Sequence, residues 1–549
     1  MQCKTSRYVP RTAACGLAAF VFLVFVAGAA STAHAFADKK AYTKGYRAVR
    51  KGEYTEAEKI FRELLAQDSH DKEARLGLSF AQLKQRNLQG AYDNAARVIM
   101  QDPLSARGHA LLGSAILGAG EFRLSVEEFR TALALNENEA LAIAGLAMVD
   151  FYENRLSLAI NGLRRAANMD PDEPDYVFSL GQAAARSEKY KEAADAYERF
   201  LMVAPKTDID RRERIEGLIA FLRYLGKQGS LYITAGDDRT TISFESTDNR
   251  PILNIRINGG REMLKFVLDT GSGMSVISEE TAKRLNIRPV ARGGLARAVG
   301  GGGKFEIVYG YLSSIEMGAV RVENVPVYIR KFFDTNIPVD GYLGLSVVAK
   351  YLTSLDYGAR KMSLVRQAQT AKLEPWTVIR RPDTVLALAP FQPNDGTVEV
   401  PLRTTSSGFL SGEVTLDGSE KGVNFIIDTA ASITVVSEKL SQEEHLFDLL
   451  RPSTMRVFGA AGVAEDVKQL QLPRLSLGLT RLDKINAAVL DMEPVNETAG
   501  FTQSGILGGN FLRHFRIYFD FARGTMRLEP LNKMPNVENI NQEVVVSTP

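Results

Sequence analysis

Cysteine, tryptophan and histidine are scarce in this sequence, and its net charge is small. The 549 residues include two cysteines, one tryptophan and five histidines, with a formal net charge of +2. Both cysteines, Cys3 and Cys15, lie near the N-terminus, so the rest of the chain has no thiol for disulfide bonds, nucleophilic catalysis or soft-metal binding. The small charge gives no electrostatic reason to expect a nucleic-acid partner.

Histidine is also too dispersed to suggest a metal centre. Four histidines lie beyond residue 35 without the short spacings that zinc ligands share: His70, His109, His445 and His514. The sequence therefore predicts no metal and no cofactor.

A long apolar run lies at the N-terminus. Three basic side chains precede a largely apolar stretch over residues 13–30, and the small-residue sequence AHA ends it at 33–35. This layout is typical of a secretory signal peptide, so residues 1–35 are predicted to be removed on export, to a bacterial periplasm or to the medium. If it were not cleaved, the run would act as a membrane anchor, because its length approaches the roughly 20 residues that span a bilayer.

Residues 38–207 repeat with a period of 34. One position of each unit is always small: Ala57, Ala91, Ser125, Ala159 and Ala193. Four residues further on, most units carry a bulky side chain: Phe61, Ala95, Phe129, Leu163 and Tyr197. Small residues allow two helices to cross closely and bulky ones fill the space beside them, so the period predicts five helical hairpins. Apolar residues at helical spacing over 208–226 predict a further helix that caps the array.

This register resembles the tetratricopeptide repeat. The resemblance implies an all-α solenoid whose concave groove binds a peptide or a protein partner. A spacer or a dimerisation arm is the alternative role for such an array. No contact residue is predicted, because one sequence does not separate groove-facing polar side chains from solvent-facing ones.

The second half of the chain changes to short strand-like runs and is itself duplicated. Four segments form two matching pairs: FVLDTGSG at 266–273 with FIIDTAAS at 425–432, and GYLG at 341–344 with GILG at 505–508. The spacing stays equal downstream, where Asp356 and Asp520 each follow the last glycine by 12 residues. The duplication predicts two β lobes at 245–366 and 397–530, a linker at 367–396 and a polar tail at 531–549.

The paired motifs resemble those of aspartic peptidases of the retropepsin and pepsin kind. The resemblance implies two all-β acid-protease lobes that face each other, with Asp269 and Asp428 as the catalytic pair. Two close carboxylates do not both ionise readily, so one stays protonated while the other activates a water for attack on a peptide bond. The implied substrate is an extended polypeptide.

Residues beside the aspartates have implied supporting roles. They are Thr270, Gly271, Ser272, Thr429 and Ala430 in the catalytic loops, and Gly344 and Gly508 in the second motif. By family analogy the threonines lock the two loops together through hydroxyl hydrogen bonds. The glycines let backbone segments approach closely, and Ser272 is expected to hydrogen-bond the outer oxygen of Asp269.

Glycine-rich stretches between the two motifs of each lobe are flap candidates. They contain Gly300, Gly301, Gly302 and Gly303 in the first lobe and Gly459 and Gly462 in the second. In the family, such a hairpin closes over an extended substrate and gives it β-strand partners. A plain hairpin turn is the alternative interpretation.

Ala430 departs from the family pattern, which has glycine at this position. A methyl group there could crowd the facing loop or exclude a positive φ angle. The leading hypothesis is an exported aspartic endopeptidase whose repeats recruit a substrate or partner. The alternatives are an inactive peptide-binding or scaffold protein, and a site formed by Asp269 of two chains.

Overall fold

The computed structural model describes residues 39–301, 303–334, 337–366, 398–417, 419, 421–531 and 544–545. The predicted signal peptide, the predicted linker, Gly302 and most of the predicted polar tail lie outside the described residues. Among the helices described, none is both long enough and apolar enough to cross a membrane.

Helices form the N-terminal part of the described chain. They are α1 (39–50), α2 (Tyr54–Gln67), α3 (Lys72–Lys84), α4 (Leu88–Gln101), α5 (Ala106–Ala119), α6 (Phe122–Leu135), α7 (Ala140–Tyr152), α8 (Leu156–Met169), α9 (Pro174–Arg186), α10 (Tyr190–Val203) and α11 (Ile209–Leu225). Successive pairs from α1–α2 to α9–α10 form five hairpins, and α11 follows them. The predicted all-α solenoid is therefore confirmed.

The hairpins pack as the small and bulky positions of the repeat require. A Cβ atom added to Gly45 would lie 2.7 Å from the ring of Phe61, and one added to Gly113 would lie 2.9 Å from the ring of Phe129. Both rings are fully buried. The glycine of one helix thus makes room for the aromatic ring of the next, which is the physical reason for the 34-residue period.

Helix α11 contacts more than the last repeat. Its N-terminus is capped by Asp208, whose carboxylate accepts a hydrogen bond from Arg211 N at 2.9 Å. Ile215 and Leu222 pack into the core of the repeats, whereas Phe221 packs against the first β lobe. The predicted capping helix therefore also joins the repeats to the β region.

The first lobe begins before the predicted residue 245. Its elements are β1 (Ile233–Gly236), β2 (Arg239–Thr247), β3 (Arg250–Ile257), β4 (Leu264–Leu268), β5 (Ser275–Ser278), α12 (Glu279–Arg284), β6 (Ala291–Arg297), β7 (Lys304–Met317), β8 (Val320–Arg330), β9 (Gly341–Leu343), α13 (Leu345–Val348), β10 (Tyr351–Asp356) and β11 (Lys361–Arg366). The first two strands belong to this lobe because β1 pairs with β8 and β2 pairs with β11.

The second lobe repeats this order of elements. It contains β12 (Val398–Pro401), β13 (Arg403–Thr404), β14 (Leu410–Leu416), β15 (Val423–Ile427), β16 (Thr434–Ser437), α14 (Glu438–Glu443), a 3-10 turn (Leu446–Leu449), β17 (Leu450–Gly459), β18 (Gly462–Leu477), β19 (Thr480–Leu490), α15 (Glu493–Ala499), β20 (Gly505–Leu507), α16 (Gly509–Leu512), β21 (Phe515–Asp520) and β22 (Thr525–Pro530). A two-residue strand, β23 (Val544–Val545), pairs in parallel with β17.

The duplication extends to the strand order. The first lobe has the order β4-β9-β5-β8-β7-β6, and the second has β15-β20-β16-β19-β18-β17. In each lobe the strand before the aspartate pairs in parallel with the strand of the second motif. The predicted fold class, an all-α solenoid followed by two all-β lobes, is confirmed.

The two lobes share a sheet, which the sequence did not indicate. Strand β10 of the first lobe pairs antiparallel with β21 of the second, with Leu355 opposite Ile517. An ion pair of 2.7 Å between Asp356 and Arg516 crosses the same junction. Main-chain hydrogen bonds between the lobes thus hold them in one relative position.

The repeats pack directly on the second lobe. The buried ring of Phe501 meets Phe122 and Tyr152 edge to face, at centroid distances of 4.9 Å and 5.0 Å. The guanidinium of Arg403 lies over the Phe122 ring at 3.9 Å. This aromatic contact holds the repeats against the second lobe.

Candidate active site

Each aspartate follows a strand that pairs in parallel with the second motif of its lobe. Asp269 comes directly after β4 and Asp428 directly after β15. Their backbone N–H groups donate to the carbonyls of the second motif, Asp269 to Leu343 O at 3.0 Å and Asp428 to Leu507 O at 3.1 Å. The parallel strand pair in each lobe therefore fixes where each carboxylate emerges.

The two aspartate loops interlock through their threonines. Thr270 Oγ1 donates to Ile427 O at 2.7 Å, and Thr429 Oγ1 donates to Leu268 O at 2.6 Å. Each hydroxyl also accepts from the opposite backbone, at 3.0 Å from Thr429 N and 3.2 Å from Thr270 N. This reciprocal set brings Asp269 and Asp428 of one chain to one place.

Gly271 lies against the opposite carboxylate. A Cβ atom at this position would lie 2.5 Å from the Cγ of Asp428, closer than real Cβ contacts come. Only glycine fits there without moving the aspartate. The same distance shows how closely the two loops approach each other.

Both carboxylates are buried, and burial raises both pKa values. Asp269 is 3% exposed and Asp428 is 0% exposed. Burial raises the pKa of Asp269 well above its usual range, and the charge of Asp428 raises it further. Burial also raises the pKa of Asp428 to about 7, although the N–H groups of Ala430 and Ala431 donate to its Oδ1 at 2.8 Å and 3.1 Å. A pair in this setting favours one shared proton over two charges.

One oxygen of each carboxylate has no hydrogen-bond partner among the described residues. These atoms are Asp269 Oδ1 and Asp428 Oδ2, both buried. A buried acceptor without a protein partner is costly unless a water or a ligand satisfies it. The two oxygens are therefore suited to bind a water or the polar atoms of a ligand.

Ser272 does not have the predicted role. Its Oγ donates to Met274 O at 2.7 Å, within its own loop, rather than to Asp269. Two hydroxyls that the sequence analysis missed support the second motif instead: Ser275 Oγ accepts from Gly344 N at 3.0 Å, and Thr434 Oγ1 accepts from Gly508 N at 3.4 Å. Both follow their aspartate by six residues, so the duplicated register could have found them.

Ala430 is accommodated without the predicted crowding. Its φ angle is not in the positive region, and the residue is fully buried. The methyl group lies in an apolar cluster with side chains of the first lobe, namely Ile252, Val267, Val276 and Tyr342. The two aspartate loops thus differ at this position. Ala430 packs its methyl group against the first lobe, whereas a methyl group at Gly271 would collide with Asp428.

Gly344 and Gly508 lie where a side chain would collide with backbone. A Cβ atom at Gly344 would be 2.6 Å from the carbonyl carbon of Met274, and one at Gly508 would be 2.4 Å from Ile433 O. The second motif of each lobe therefore passes directly beside the aspartate loop.

The glycine-rich stretches form two hairpins whose tips meet. Gly300, Gly301 and Gly303 lie in the turn between β6 and β7, while Gly459 and Gly462 flank the turn between β17 and β18. A Cβ atom on Gly301 would lie 2.5 Å from the backbone of Gly462. Nearby, Val299 is 1% exposed and packs into the core of the second lobe. We call the β6–β7 hairpin the first flap hairpin.

Two arginines near the aspartates, one buried and one partly buried, were not predicted. Arg250 is 1% exposed, pairs with Asp334 at 3.2 Å, and its charge counteracts the rise in the pKa of Asp428 caused by burial. Arg330 similarly counteracts the rise in the pKa of Asp269. Neither residue lies in a motif, so no signal in one sequence could identify it.

Family models match both halves of the chain. A model described as aspartyl protease matches residues 253–347 and 412–511, which contain both aspartate motifs. Two tetratricopeptide-repeat models match residues 48–115 and 144–208. Each lobe thus has its own match to the protease family.

Curated relatives match the chain over short stretches. Anaphase-promoting complex subunit 3 of Schizosaccharomyces pombe is 28% identical over 123 residues, which are 22% of this chain and 18% of that protein. The CTR9 homolog of Arabidopsis thaliana is 26% identical over 156 residues, 28% of this chain and 13% of that protein. The matches span less than a fifth of the length of either relative.

Solved structures of repeat proteins also resemble part of the chain. A thermophilic TPR protein of Thermus thermophilus is 22% identical, with a TM-score of 0.29, over 33% of this chain and 98% of that one. The APC/C hetero-tetramer Cut9-Hcn1 is 18% identical, with a TM-score of 0.29, over 34% of this chain and 36% of that one. With the family matches and the observed architecture together, the chain combines tetratricopeptide repeats with two aspartyl-protease-like lobes.

Proposed function

We propose that this protein is an aspartic endopeptidase. The observation that carries the proposal is the interlocked pair of loops, which gives Asp269 and Asp428 of a single chain to one buried site. The raised pKa values of both carboxyls support one protonated and one ionised group near neutral pH. No second chain is needed to complete this pair.

The chemistry follows from that protonation state. The ionised carboxylate accepts a proton from a water as the water attacks the carbonyl carbon of a peptide bond. The protonated carboxyl donates a hydrogen bond to the carbonyl oxygen and stabilises the charge that develops there. A carboxyl proton then passes to the leaving nitrogen, and the carbon–nitrogen bond breaks.

An extended polypeptide is the substrate that this arrangement favours. Strand β6 of the first flap hairpin lies at the end of its sheet, and an extended chain can bind to such an edge strand by strand addition. The repeats, packed beside the second lobe, would recruit the substrate or a partner protein. Export remains a proposal based on residues 1–35, which lie outside the described part of the chain.

The complete burial of the dyad supports a second candidate function. A protein whose aspartates are 3% and 0% exposed could bind polypeptide through its repeats and never hydrolyse it. This non-catalytic scaffold predicts partner capture with no turnover.

Hydrolysis of an unfolded polypeptide separates the two candidates. Purified full-length protein would be incubated with reduced, carboxymethylated casein from pH 4 to 8, and new N-termini would be detected by mass spectrometry. Cleavage by the wild type and by Asp520→Asn, but not by Asp269→Asn, supports the peptidase. Asp520 is a matched control because, within the described part of the chain, its carboxylate accepts one side-chain hydrogen bond, from Arg523 N in a turn. Equal cleavage by Asp269→Asn, or none by the wild type, would rule out the proposed function.

A further inference from the structure

The first flap hairpin lies against helix α11 of the repeat region. Phe221 of α11 stacks on Tyr309 of β7 with ring centroids 4.2 Å apart. A Cβ atom on Gly217 would lie 2.0 Å from Arg292 O in β6. Helix and hairpin are thus in direct backbone contact, at a point where no side chain fits between them.

Polar contacts tie the same hairpin on two sides. Arg214 of α11 donates to Leu295 O at 2.8 Å. Asp210 of the same helix forms an ion pair with Lys304 of β7. Arg297 of the hairpin pairs with Glu497 of the second lobe at 2.6 Å. Each exposed tie contributes little by itself, so the closed position depends on the ties and the packing together.

The closed hairpin leaves the dyad out of reach of a polypeptide. Val299, near its tip, is buried in the second lobe, and both aspartates are almost fully buried. A peptide bond reaches the carboxylates only after this hairpin moves. Closure of this kind is a common way to gate an active site.

A groove with a volume of about 620 Å³ lies between the repeats and the second lobe. Its lining includes apolar side chains of the repeats, such as Leu117 and Met148. It also includes Arg214 and Glu497. The two residues that tie the flap hairpin from either side are therefore also part of the wall of this groove.

The groove carries cations without ion-pair partners. Within the described residues, no carboxylate lies within ion-pair distance of Arg211 or Arg214, both of which line the groove. Lys84, by contrast, is neutralised by Glu173 and Asp175. The lining also carries the carboxylates of Asp175, Asp208 and Glu497, of which Asp175 pairs with Lys84 and Glu497 pairs with Arg297. The guanidinium groups of α11 lie beside an apolar surface without an ion-pair partner, so this wall is complementary to an extended peptide with alternating acidic and apolar side chains.

We propose that an acidic, extended polypeptide binds in this groove and thereby releases the first flap hairpin. A carboxylate that pairs with Arg214 competes with Leu295 O for the same guanidinium. Backbone N–H groups of a chain lying along the wall compete with Arg297 as donors to Glu497. A ligand that binds better when these ties are broken shifts the hairpin toward its open position. The inference rests on the proposed function only in taking the dyad as the site that the hairpin uncovers. Release of the hairpin is measurable without hydrolysis.

Hydrogen exchange of the flap in the full-length protein tests the release. Backbone exchange over residues 291–310 would be measured without ligand, with a saturating dodecapeptide of alternating Leu and Glu, and with the matching Leu–Lys peptide. We expect the Leu–Glu peptide to bind and to raise exchange of this segment several-fold, and the Leu–Lys peptide to leave it unchanged. Unchanged or slower exchange with bound Leu–Glu peptide, or no binding of that peptide, would overturn the proposal.

Variants of the ties give an independent test. Arg214→Ala combined with Glu497→Gln should raise flap exchange without any peptide, because two of the three polar ties are lost while the dyad is untouched. Arg223→Ala is the matched control on the same helix, since Arg223 pairs with Asp195 and Glu198 of the repeats instead of the flap. If hydrogen exchange of the flap were equal in the double variant and in Arg223→Ala, the proposal would be contradicted. Faster exchange without any peptide hydrolysis would support the release and count against the peptidase.

Discussion

Thr270 and Thr429 hydrogen-bond across the boundary between the lobes, each donating its hydroxyl to the carbonyl at the end of the other lobe's strand. The distances are 2.7 Å to Ile427 O and 2.6 Å to Leu268 O, and all four residues are buried. These two hydrogen bonds therefore fix the position of the Asp269 loop relative to the Asp428 loop.

Replacing either threonine by valine should loosen this link. Each substitution keeps the shape but leaves a buried carbonyl and an N–H group without their partner, which costs about 1–3 kcal/mol of unfolding free energy. The rate of hydrolysis should fall further than the loss of folded protein alone would explain, because the carboxylates lose their alignment. Chemical denaturation and an activity assay of Thr270→Val and Thr429→Val would measure both. Thr241→Val, which removes an exposed hydroxyl contact with Ser363, is the control, and a similar loss there would contradict the account.

Gly271→Ala and Ala430→Gly should have different effects on hydrolysis: the first should abolish it and the second should preserve it. Gly271→Ala places a methyl group 2.5 Å from the Cγ of Asp428, so we expect hydrolysis to be lost. Ala430→Gly removes a buried methyl group and adds backbone freedom, so it should lower the unfolding free energy by about 1–2 kcal/mol while activity persists. Higher activity in Ala430→Gly than in the wild type would show that the alanine impairs the site.

Much of the architecture could be predicted from sequence because it arises from local periodicity and duplication. The 34-residue period determines which helix faces meet, and the repeated motifs identify Asp269 and Asp428. The shared sheet between β10 and β21 could not be predicted, because strand pairing between such distant segments leaves no periodic trace. The contact of α11 with the flap was also hidden, since the apolar spacing of residues 208–226 predicts a buried helix face but does not show that Phe221 packs against the flap. Ser272 was assigned by analogy, and its own loop offered a nearer acceptor.

The pH dependence should follow from the raised pKa of Asp428. Its value of about 7 in the folded protein exceeds the ordinary 3.8, so between these pH values the folded state keeps a proton that the unfolded chain releases. The protonated Asp428 carboxyl therefore contributes its full share to the unfolding free energy below pH 3.8. This contribution is lost as the pH rises through about 7. Asp428→Asn should gain unfolding free energy relative to wild type between pH 4 and 8, as measured by urea denaturation. If the unfolding free energies of Asp428→Asn and wild type differed by the same amount at pH 4 and at pH 8, the raised pKa would be contradicted.

The central claim is that Asp269 and Asp428 of one chain act as a single catalytic unit. The most direct measurement is the rate of peptide hydrolysis by Asp269→Asn, Asp428→Asn and the double variant under the same conditions. Because a unit fails when either member is removed, we expect each single variant to lose about 10²–10⁴-fold and the double variant to be no slower than either. Wild-type activity in Asp428→Asn, or losses that multiply in the double variant, would contradict the account.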